Sequence, residues 1–440
     1  MKAPTIVFAM LPESGHLNPS YKLAKVLRAR GHDVRYLAIA DVRAQIEAQG
    51  FAVEPLFADL FPSGLLGAEQ KLGTLAKRRA ITTRYRALLE RLRTDAPLAS
   101  PPSLLVVDVT QVHFALWARR VGVPIVLVNT SLPQTRDPGV PPLRSGSPYA
   151  ASLLARVRPA LEWRRFVAKR QLSAHAADLA GMCPPYELAR REALRLGVAE
   201  HDLDSETVYM PQLRGVPELV LCPRAFDFPR APAPERAYVE SIDLSRSEPE
   251  FAWGGLAADK PLIYCALGGQ RYRAADVPSF FRRLHSVFRT RPQWQLLLAS
   301  GQHMASDELD PLPNVAVVER APQLAVLRRA RLMITHGGLG SVKECIMNAV
   351  PMLGVPLDVD QPGNVARVVF HGLGLSADVR NSSERALRLT LDRLLSTPSF
   401  AICAREMQGR FAREEAGERG ADLVERLLSG TAAPACVTAG

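Results

Sequence analysis

The sequence predicts an α/β protein with two Rossmann-like domains, each built from a parallel sheet covered by helices on both faces. Three observations support this fold class: the length of the chain, two separate series of alternating strand-like and helix-like segments, and a proline-rich stretch between them. At 440 residues the chain is too long for one ordinary core. Apolar residues make up 47% of it, which is enough to form two buried sheets.

The first series of segments begins near the first residue. An apolar run over residues 5–10 is typical of a buried strand, and the helical pattern that follows ends at Gly31. Residues 34–39 form the next expected strand. Later strands are expected at 104–109 and 124–128, with helices near 42–49 and 113–120. Because parallel neighbours in a sheet need a crossover between them, this order predicts a parallel sheet.

The second series begins at Pro261. Its strands are expected at residues 262–267, 294–299, 315–318, 332–335 and 352–355. Between the two series, closely spaced prolines remove backbone donors and predict a linker over residues 223–236. The expected domains are therefore residues 1–222 and 237–397. A helical segment at 398–429, for which a return to the first domain is one alternative, and a frayed tail at 430–440 complete the chain.

The chain carries a formal net charge of +11, which would suit a nucleic-acid binder. Its basic residues are dispersed and no nucleic-acid motif accompanies them, so no nucleic-acid partner is expected. Two basic clusters stand out, one over residues 71–93 and one over residues 156–170. Two interpretations stay open for them: solvated helix faces, or a surface for weak association with an anionic membrane or an acidic acceptor.

Six cysteines show no paired spacing, which fits a reducing compartment. The apolar start of the chain is too short to span a bilayer and continues into Pro12 without a cleavage-type ending. A cytoplasmic location is therefore expected.

The densest chemistry lies between Arg320 and Gln361. A strand is expected to end at Thr335, glycines follow it, and a helix begins near Ser341. Amide groups and the dipole at such a helix start can hold a diphosphate without a metal. His336 can donate to a phosphate oxygen, and the Ser341 hydroxyl can add a hydrogen bond.

Three further polar residues of this segment suit the sugars of a nucleotide-activated sugar. Glu344, one turn into the helix, is placed for the paired hydroxyls of a ribose. Asp360 and Gln361 follow the next strand, where a parallel sheet meets its ligand, and can bind neighbouring sugar hydroxyls. Taken singly, each residue has an ordinary structural explanation in a βα turn. Their joint occurrence favours a ligand site.

A histidine stands at the ligand edge of the first expected sheet. Gly15-His16-Leu17-Asn18-Pro19 is expected to form the loop after the first strand, and Gly15 allows a close approach. Histidine suits a general base at neutral pH, although a lone loop histidine is more often structural.

No metal or other cofactor is expected. The nine histidines are dispersed, and no DxD-type run is placed for a nucleotide-bound cation. Asp358-Val359-Asp360 has that spelling but lies within the sugar-binding segment, so it is interpreted as part of sugar recognition.

These motifs resemble a known family. The run RAPQLAVLRRARLMITHGGLGSVKECIMNAVPMLGVPLDVDQPGNVARVV is similar to the donor signature of the UDP-glycosyltransferase family, GT1, whose GT-B members include plant, antibiotic-modifying and glucuronosyl enzymes. Weaker resemblance extends from Thr5 to about Leu375. It implies two Rossmann-like domains facing each other across a cleft, with the acceptor in the first domain and the nucleotide sugar in the second. Bacterial enzymes that modify natural products are the nearest type.

The resemblance also implies roles for individual residues. His336, Gly338 and Ser341 would bind the diphosphate, Glu344 the ribose, and Asp360 with Gln361 the hexose. His16 would be the base, and Asp108, in VVDVTQVHFALWARRVGVP, would orient it; a strand-end cap is the alternative for Asp108. The remaining expected donor-binding residues are Gly268, Gly269, Arg320, Ala321, Gln323 and Gly340.

The chain departs from the family pattern in three places. Arg320 stands where plant members carry a tryptophan that stacks on uracil; a guanidinium can also lie flat on a base, so uridine and thymidine donors both stay open. Gly340 replaces an asparagine, so a backbone contact to phosphate is expected there. The run Gly268-Gly269-Gln270 lacks the hydroxyl residue often found after the first strand of the second domain.

The expected function is inverting transfer of a hexose, with glucose preferred, to a hydroxyl of a lipophilic small molecule. Residues 57–75 and 133–151, rich in Pro, Gly and apolar residues, are expected to frame the acceptor pocket. A Rossmann oxidoreductase is disfavoured because no G-x-G-x-x-G follows the first strand. A non-catalytic relative that binds nucleotide sugars is the remaining alternative.

Overall fold

Two parallel sheets dominate the computed structural model, which describes residues 3–430 except 244–249, 252, 254, 258, 270–274 and 306. Gln270 and the expected tail beyond residue 430 lie outside the described residues. Within the described part, seven strands form the first sheet and six form the second. The two series of alternating segments therefore give two separate sheets, as the sequence predicts.

The first sheet has the strand order β3-β2-β1-β4-β5-β8-β9, all parallel. Its strands are β1 (Thr5–Ala9), β2 (Asp33–Ala38), β3 (Ala52–Pro55), β4 (Leu104–Asp108), β5 (Ile125–Asn129), β8 (Glu218–Val220) and β9 (Arg236–Tyr238). A separate antiparallel pair joins β6 (Leu203–Asp204) and β7 (Gln212–Leu213). Every residue of β4 is buried, as expected for a central strand covered on both faces.

The helices of this half follow its strands. They are α1 (Ser14–Ala29), α2 (Ala40–Glu47), α3 (Leu65–Gln70), α4 (Thr74–Thr94), α5 (Val112–Val121), α6 (Val157–Leu179) and α7 (Pro185–Arg195). Helix α5 ends at Gly122, whose φ of 74° lets the chain turn back to begin β5. The core under these helices includes Phe8 and Tyr36, which stack with ring centroids 5.1 Å apart.

The second sheet has the order β12-β11-β10-β13-β14-β15, again parallel. Its strands are β10 (Leu262–Ala266), β11 (Gln295–Ala299), β12 (Val315–Val318), β13 (Ala330–Thr335), β14 (Met352–Gly354) and β15 (Gly374–Ser376). Its helices are α8 (Asp276–Arg289), α9 (Gln323–Leu327), α10 (Leu339–Met347), α11 (Gln361–Phe370), α12 (Glu384–Ser396), α13 (Pro398–Glu415) and α14 (Arg419–Leu428).

Alternate residues of β10 pack into two different apolar layers. Ile263 joins the layer that contains Phe280 of α8, and Tyr264 joins the layer that contains Val342 of α10. Successive side chains of a strand point to opposite faces, so a strand covered on both faces reads as one apolar run. This explains why the sequence shows continuous apolar segments and not alternation.

The first sheet extends past the boundary expected at residue 222. Strand β9 pairs with β8, and Arg236 Nε donates to Glu218 Oε2 at 2.7 Å. The prolines before it interrupt regular structure only locally, and the chain rejoins the first sheet once they are passed.

The last helix lies against the first half of the molecule. Arg30, just after α1, forms ion pairs with Glu418, Asp422 and Glu425. The preceding helix contacts α1 as well, since Lys22 Nζ of α1 donates to Oε2 of Glu415, the last residue of α13, at 2.9 Å. Among the described residues, no helix is both long and apolar enough to cross a membrane.

A buried carboxylate joins the connecting segment to the second half of the molecule. Asp227 Oδ1 accepts from Arg367 Nε at 2.8 Å, and its Oδ2 accepts from Arg230 Nε at 2.8 Å and from Tyr238 Oη at 2.6 Å. Burial is the largest single influence on the pKa of Asp227 and raises it. The charges of Arg230 and Arg367 and the hydrogen bonds from Tyr238 and Arg367 together outweigh burial, so the net shift of the pKa is downward.

We expect Asp227→Asn to reduce the free energy of unfolding by about 3–5 kcal/mol, because it leaves the guanidinium of Arg367 buried without its counterion. Urea denaturation followed by circular dichroism measures the change. The control is Glu47→Gln, which removes an exposed ion pair with Arg43 and should cost less than about 1 kcal/mol. Equal losses in the two variants would contradict the structural role of Asp227.

Candidate active site

The carboxyl edges of the two sheets face one cleft, which encloses about 450 Å³. Side chains from both halves line it. The expected site residues among them are His16, Gln323, His336, Gly338, Gly340, Ser341, Glu344, Asp360 and Gln361. Residues far apart in sequence therefore meet in one place.

His16 lies in the first turn of α1 and not in the loop that the sequence predicts. The carbonyl of Glu13 accepts from the His16 and Leu17 amides at 2.9 and 3.0 Å, so the helix begins directly after a short connection. Pro19 lies inside α1, where its missing N–H removes one helical hydrogen bond, yet the helix continues through it to Ala29. The imidazole is thereby fixed on a rigid element.

The imidazole of His16 is held at one nitrogen. Nδ1 lies 2.7 Å from Asp108 Oδ2 and 2.8 Å from Thr130 Oγ1. A carboxylate can only accept, so Nδ1 carries the hydrogen and Nε2 is left to take a proton. Asp108 is fully buried at the end of β4, and its Oδ1 accepts from the Thr110 amide at 2.9 Å and hydroxyl at 2.7 Å.

The two ionisable groups shift each other's pKa. For His16, burial is the largest influence and lowers the pKa, but the charge and hydrogen bond of Asp108, with Glu13 and Asp360, raise it above the usual 6.5. For Asp108, burial raises the pKa, while His16 and Thr110 outweigh it and give a net lowering. The carboxylate is therefore ionised near neutral pH and favours the protonated imidazole.

Thr130 and Ser131 belong to this cleft but were missed by the sequence analysis. They follow β5 directly, at the same sheet edge as Asp108. Polar residues immediately after a buried parallel strand were the available signal, since strand ends at that edge meet ligands.

On the opposite wall, the start of α10 faces the cleft. Gly338 precedes the first residue of the helix, and Ser341 lies in its first turn. Gln323, at the start of α9, donates from Nε2 to Ser341 Oγ at 3.2 Å and to Glu344 Oε2 at 2.6 Å. The structure thus brings three expected donor residues into one hydrogen-bonded group.

His336 is enclosed by glycines. A Cβ on Gly338 would lie 2.6 Å from its Nε2, and a Cβ on Gly268 would lie 3.0 Å from its Cε1. Gly268 also has φ of 80°, which L side chains rarely adopt. Burial, the largest influence, lowers the pKa of His336 to about 4, although Asp360 opposes the shift. The ring is therefore neutral near pH 7 and carries one N–H; the Ala266 backbone is a hydrogen-bond partner of the ring, so a ligand would compete with it for that donor.

Asp360 connects the two walls of the cleft. Its Oδ2 accepts from Ser131 Oγ at 2.7 Å and from Asn364 Nδ2 at 3.1 Å. Neither bond uses Oδ1. The preceding residue, Val359, has φ of 52°, a conformation that is costly for a β-branched residue. This strained turn sets the position of Asp360 at the start of α11.

The side chains of Gln361 and Asp358 form contacts within and beside that turn. Gln361 Oε1 accepts from the amides of Leu357 and Asp358 at 2.8 and 3.1 Å, so only its NH₂ group is left for a ligand. Asp358 pairs with Arg144 at 2.6 Å and does not act together with Asp360. Among the described residues, no group of three or more His, Cys, Asp or Glu side chains could hold a metal ion.

Arg320, Ala321, Gly268 and Gly269 lie outside the cleft lining, whereas Gly340 belongs to it. Arg320 is exposed after β12, and Ala321 packs against the apolar layer beside α10. Gly268 lies behind His336, and a Cβ on Gly269 or Gly340 would meet nothing within 4 Å. Those two glycines are not required by packing.

We expect the pKa of His16 to lie above 6.5 and to fall below 6.5 in Asp108→Asn, because the variant removes the carboxylate that offsets burial. Imidazole resonances followed by NMR over a pH range, assigned by their loss in His16→Gln, measure this. The control is Asp358→Asn, whose carboxylate pairs with Arg144. An unchanged His16 pKa in Asp108→Asn would contradict the coupling.

Comparisons with known proteins extend over most of the chain. The family described as UDP-glucoronosyl and UDP-glucosyl transferase matches residues 292–406. Oleandomycin glycosyltransferase from Streptomyces antibioticus is 31% identical over 421 residues, which cover 94% of this chain and 88% of that protein. 4'-Demethylrebeccamycin synthase from Lentzea aerocolonigenes is 26% identical, and the match covers 96% of this chain and 99% of that protein.

A solved structure is similar over the same extent. The glycotransferase of kitacinnamycin superposes with a TM-score of 0.73 and 25% identity over 97% of this chain and 99% of that one. Similarity therefore includes both sheets and the cleft between them. The chain belongs to the UDP-glucuronosyl and UDP-glucosyl transferase family and is a nucleotide-sugar-dependent glycosyltransferase with the GT-B fold.

Proposed function

We propose that this enzyme transfers a hexose, glucose by preference, from a uridine or thymidine diphosphate sugar to a hydroxyl of a lipophilic small molecule, with inversion at the anomeric carbon. The observation that carries the proposal is the 2.7 Å contact between His16 Nδ1 and Asp108 Oδ2 on the wall opposite the start of α10. A base on one wall and an anion-binding helix start on the other suit a single displacement.

In this mechanism His16 is the general base. Nε2 takes the proton of the acceptor hydroxyl as its oxygen attacks the anomeric carbon. Asp108 keeps the hydrogen on Nδ1 and stabilises the imidazolium that forms, and the Thr130 hydroxyl helps to fix the ring. Since the attack comes from the face opposite the leaving group, the configuration inverts.

The start of α10 is proposed to hold the leaving diphosphate. Its free amides and dipole favour negative charge, and Ser341 Oγ and the N–H of His336 add hydrogen bonds. A neutral His336 suits this role because it can donate without depending on a charge in a buried position. Glu344, held by Gln323, is proposed to bind the ribose hydroxyls.

Asp360 and Gln361 are proposed to bind hydroxyls of the hexose. Oδ1 of Asp360 accepts one, while Ser131 and Asn364 hold Oδ2 in place. Gln361 donates from its NH₂ group, since its carbonyl oxygen is engaged by the turn. Two orienting side chains on one helix start suit recognition of neighbouring hydroxyls.

The acceptor is proposed to be a lipophilic natural product. The names of the two bacterial relatives refer to oleandomycin and to 4'-demethylrebeccamycin. Of the two loops expected to frame the pocket, residues 133–151 place Leu143 against α11, where its carbonyl accepts from the Gly363 amide at 2.9 Å. Neither that loop nor residues 57–75 contributes to the lining of the cleft as described, so the acceptor role of both loops stays a proposal.

His16→Asn should lower the transfer rate by about 10²–10⁴-fold, because it removes the base while the donor wall is unchanged. Wild-type activity should rise with pH through the raised pKa of His16, since only the neutral ring accepts a proton. Single-turnover transfer to an alcohol acceptor measures both effects. The control is His201→Asn, an exposed histidine outside the cleft, which should be unaffected. Full activity in His16→Asn would exclude this mechanism.

A screen of lipophilic acceptors against UDP-glucose and several thymidine diphosphate sugars, with product masses as the readout, tests the substrates. An α-linked donor should yield a β-linked product, which the coupling of the anomeric proton in NMR reveals. Retained configuration would contradict single displacement. Exclusive use of a donor sugar other than a hexose would contradict the proposed donor class.

A further inference from the structure

Helix α6 is apolar on two opposite sides. Pro159 and Trp163 are buried, and Trp163 Nε1 donates to the Val140 carbonyl at 2.9 Å. The opposite side carries side chains with exposed fractions from 46% at Leu161 to 80% at Leu179. A helix on the surface of a globular protein normally has a polar outer face, so the outer face of α6 is unusual.

The exposed apolar residues follow the helical repeat. Val157, Leu161, Ala168, Leu172 and Leu179 are all exposed and recur at intervals of four or seven residues, as one stripe along a helix requires. We call this set the outer stripe. Two further exposed leucines, Leu153 and Leu154, immediately precede the helix.

Basic side chains flank the outer stripe. Arg164, Arg165 and Lys169 are exposed, and in the described part of the chain none of the recorded ion pairs includes them. The carboxylate of Glu162 is engaged by Arg158, Ser145 and Ser147 and does not neutralise them.

The other basic cluster, over residues 71–93, differs in this respect. Arg84 pairs with Glu69, Arg91 with Asp59 and Asp95, and Arg93 with Glu192. Three of its eight basic residues are therefore compensated within the protein. Leu72 and Leu75 are exposed in that cluster too, but the larger set of exposed apolar side chains lies on α6 and directly before it.

A groove adjoins the start of the outer stripe. It encloses about 600 Å³ between residues 148–155 and α6, and Tyr149, Leu154, Val157, Leu161 and Arg165 contribute to its lining. A groove that combines apolar side chains with a guanidinium has the chemistry to take an acyl chain and the phosphate attached to it.

We propose that the outer stripe and its basic flanks dock the protein on the surface of an anionic lipid bilayer. The leucines enter the boundary between head groups and acyl chains, and Arg164, Arg165 and Lys169 meet lipid phosphates. A second copy of the chain is a poorer occupant, because a two-fold interface on this face would bring the same cations together.

Sedimentation of the full chain with vesicles tests the proposal, comparing phosphatidylcholine alone with a mixture containing phosphatidylglycerol. Binding is expected only to the anionic vesicles and should weaken with salt. Leu161→Ser with Leu172→Ser should reduce binding at least tenfold. Replacing Arg164, Arg165 and Lys169 by Gln should reduce it by about a hundredfold, since each cation contributes about fivefold near such a surface.

Matched variants separate a docking face from general attraction by the net charge. Leu389→Ser changes an exposed leucine of α12, and Arg385, Arg388 and Arg405 replaced by Gln remove the same charge elsewhere. Both controls should bind nearly as the wild type does, and all variants should keep their circular dichroism and transfer activity. Three results would each overturn the proposal: no vesicle binding, equal losses in controls and α6 variants, or self-association of the wild type that Leu161→Ser with Leu172→Ser abolishes.

Discussion

The site depends on one constraint: two separate parallel sheets must keep their carboxyl edges face to face across a single cleft. His16 and Asp108 belong to the first half, and the start of α10 and Asp360 belong to the second. The 2.7 Å bond from Ser131 Oγ to Asp360 Oδ2 shows how closely the walls approach. Neither half alone combines a histidine base with an anion-binding helix start, so the arrangement of the halves is itself part of the chemistry.

Buried carboxylates maintain that arrangement. Glu415 of α13 accepts from the Ser241 and Ile242 amides, each at 2.9 Å, and from Lys22 of α1, so one side chain joins the connecting segment to both halves. Asp227 does the same with Arg367 of α11. A buried ion pair is expensive to form but more expensive to break, because removing one partner strands the other charge. Such pairs favour one relative position of the halves over its neighbours.

Local signals made most of the fold and the donor wall predictable. Continuous apolar runs marked the buried strands, and the sequence from Thr335 to Ser341 marked a strand, a close approach and a helix start within seven positions. Thr130 and Ser131 carry the local signal of polar residues after a buried strand, but their partners His16 and Asp360 are 114 and 229 positions away, and no local signal identifies those contacts. His16 was expected in a loop after β1, whereas α1 begins at Ser14 and already includes it.

Long-range contacts also determine which side chains of the two basic clusters have ion-pair partners within the protein. In sequence, residues 71–93 and 156–170 look alike, but Arg93 meets Glu192 of α7 and Arg84 meets Glu69 of α3, whereas Arg164 and Arg165 remain beside exposed leucines. Helix α6 is also linked to α11 through one loop. Glu162 binds Ser145 and Ser147, and the same loop contacts α11 through Leu143 and Gly363. The outer stripe therefore lies on a helix that is linked through this loop to α11, whose first residue, Gln361, lines the cleft.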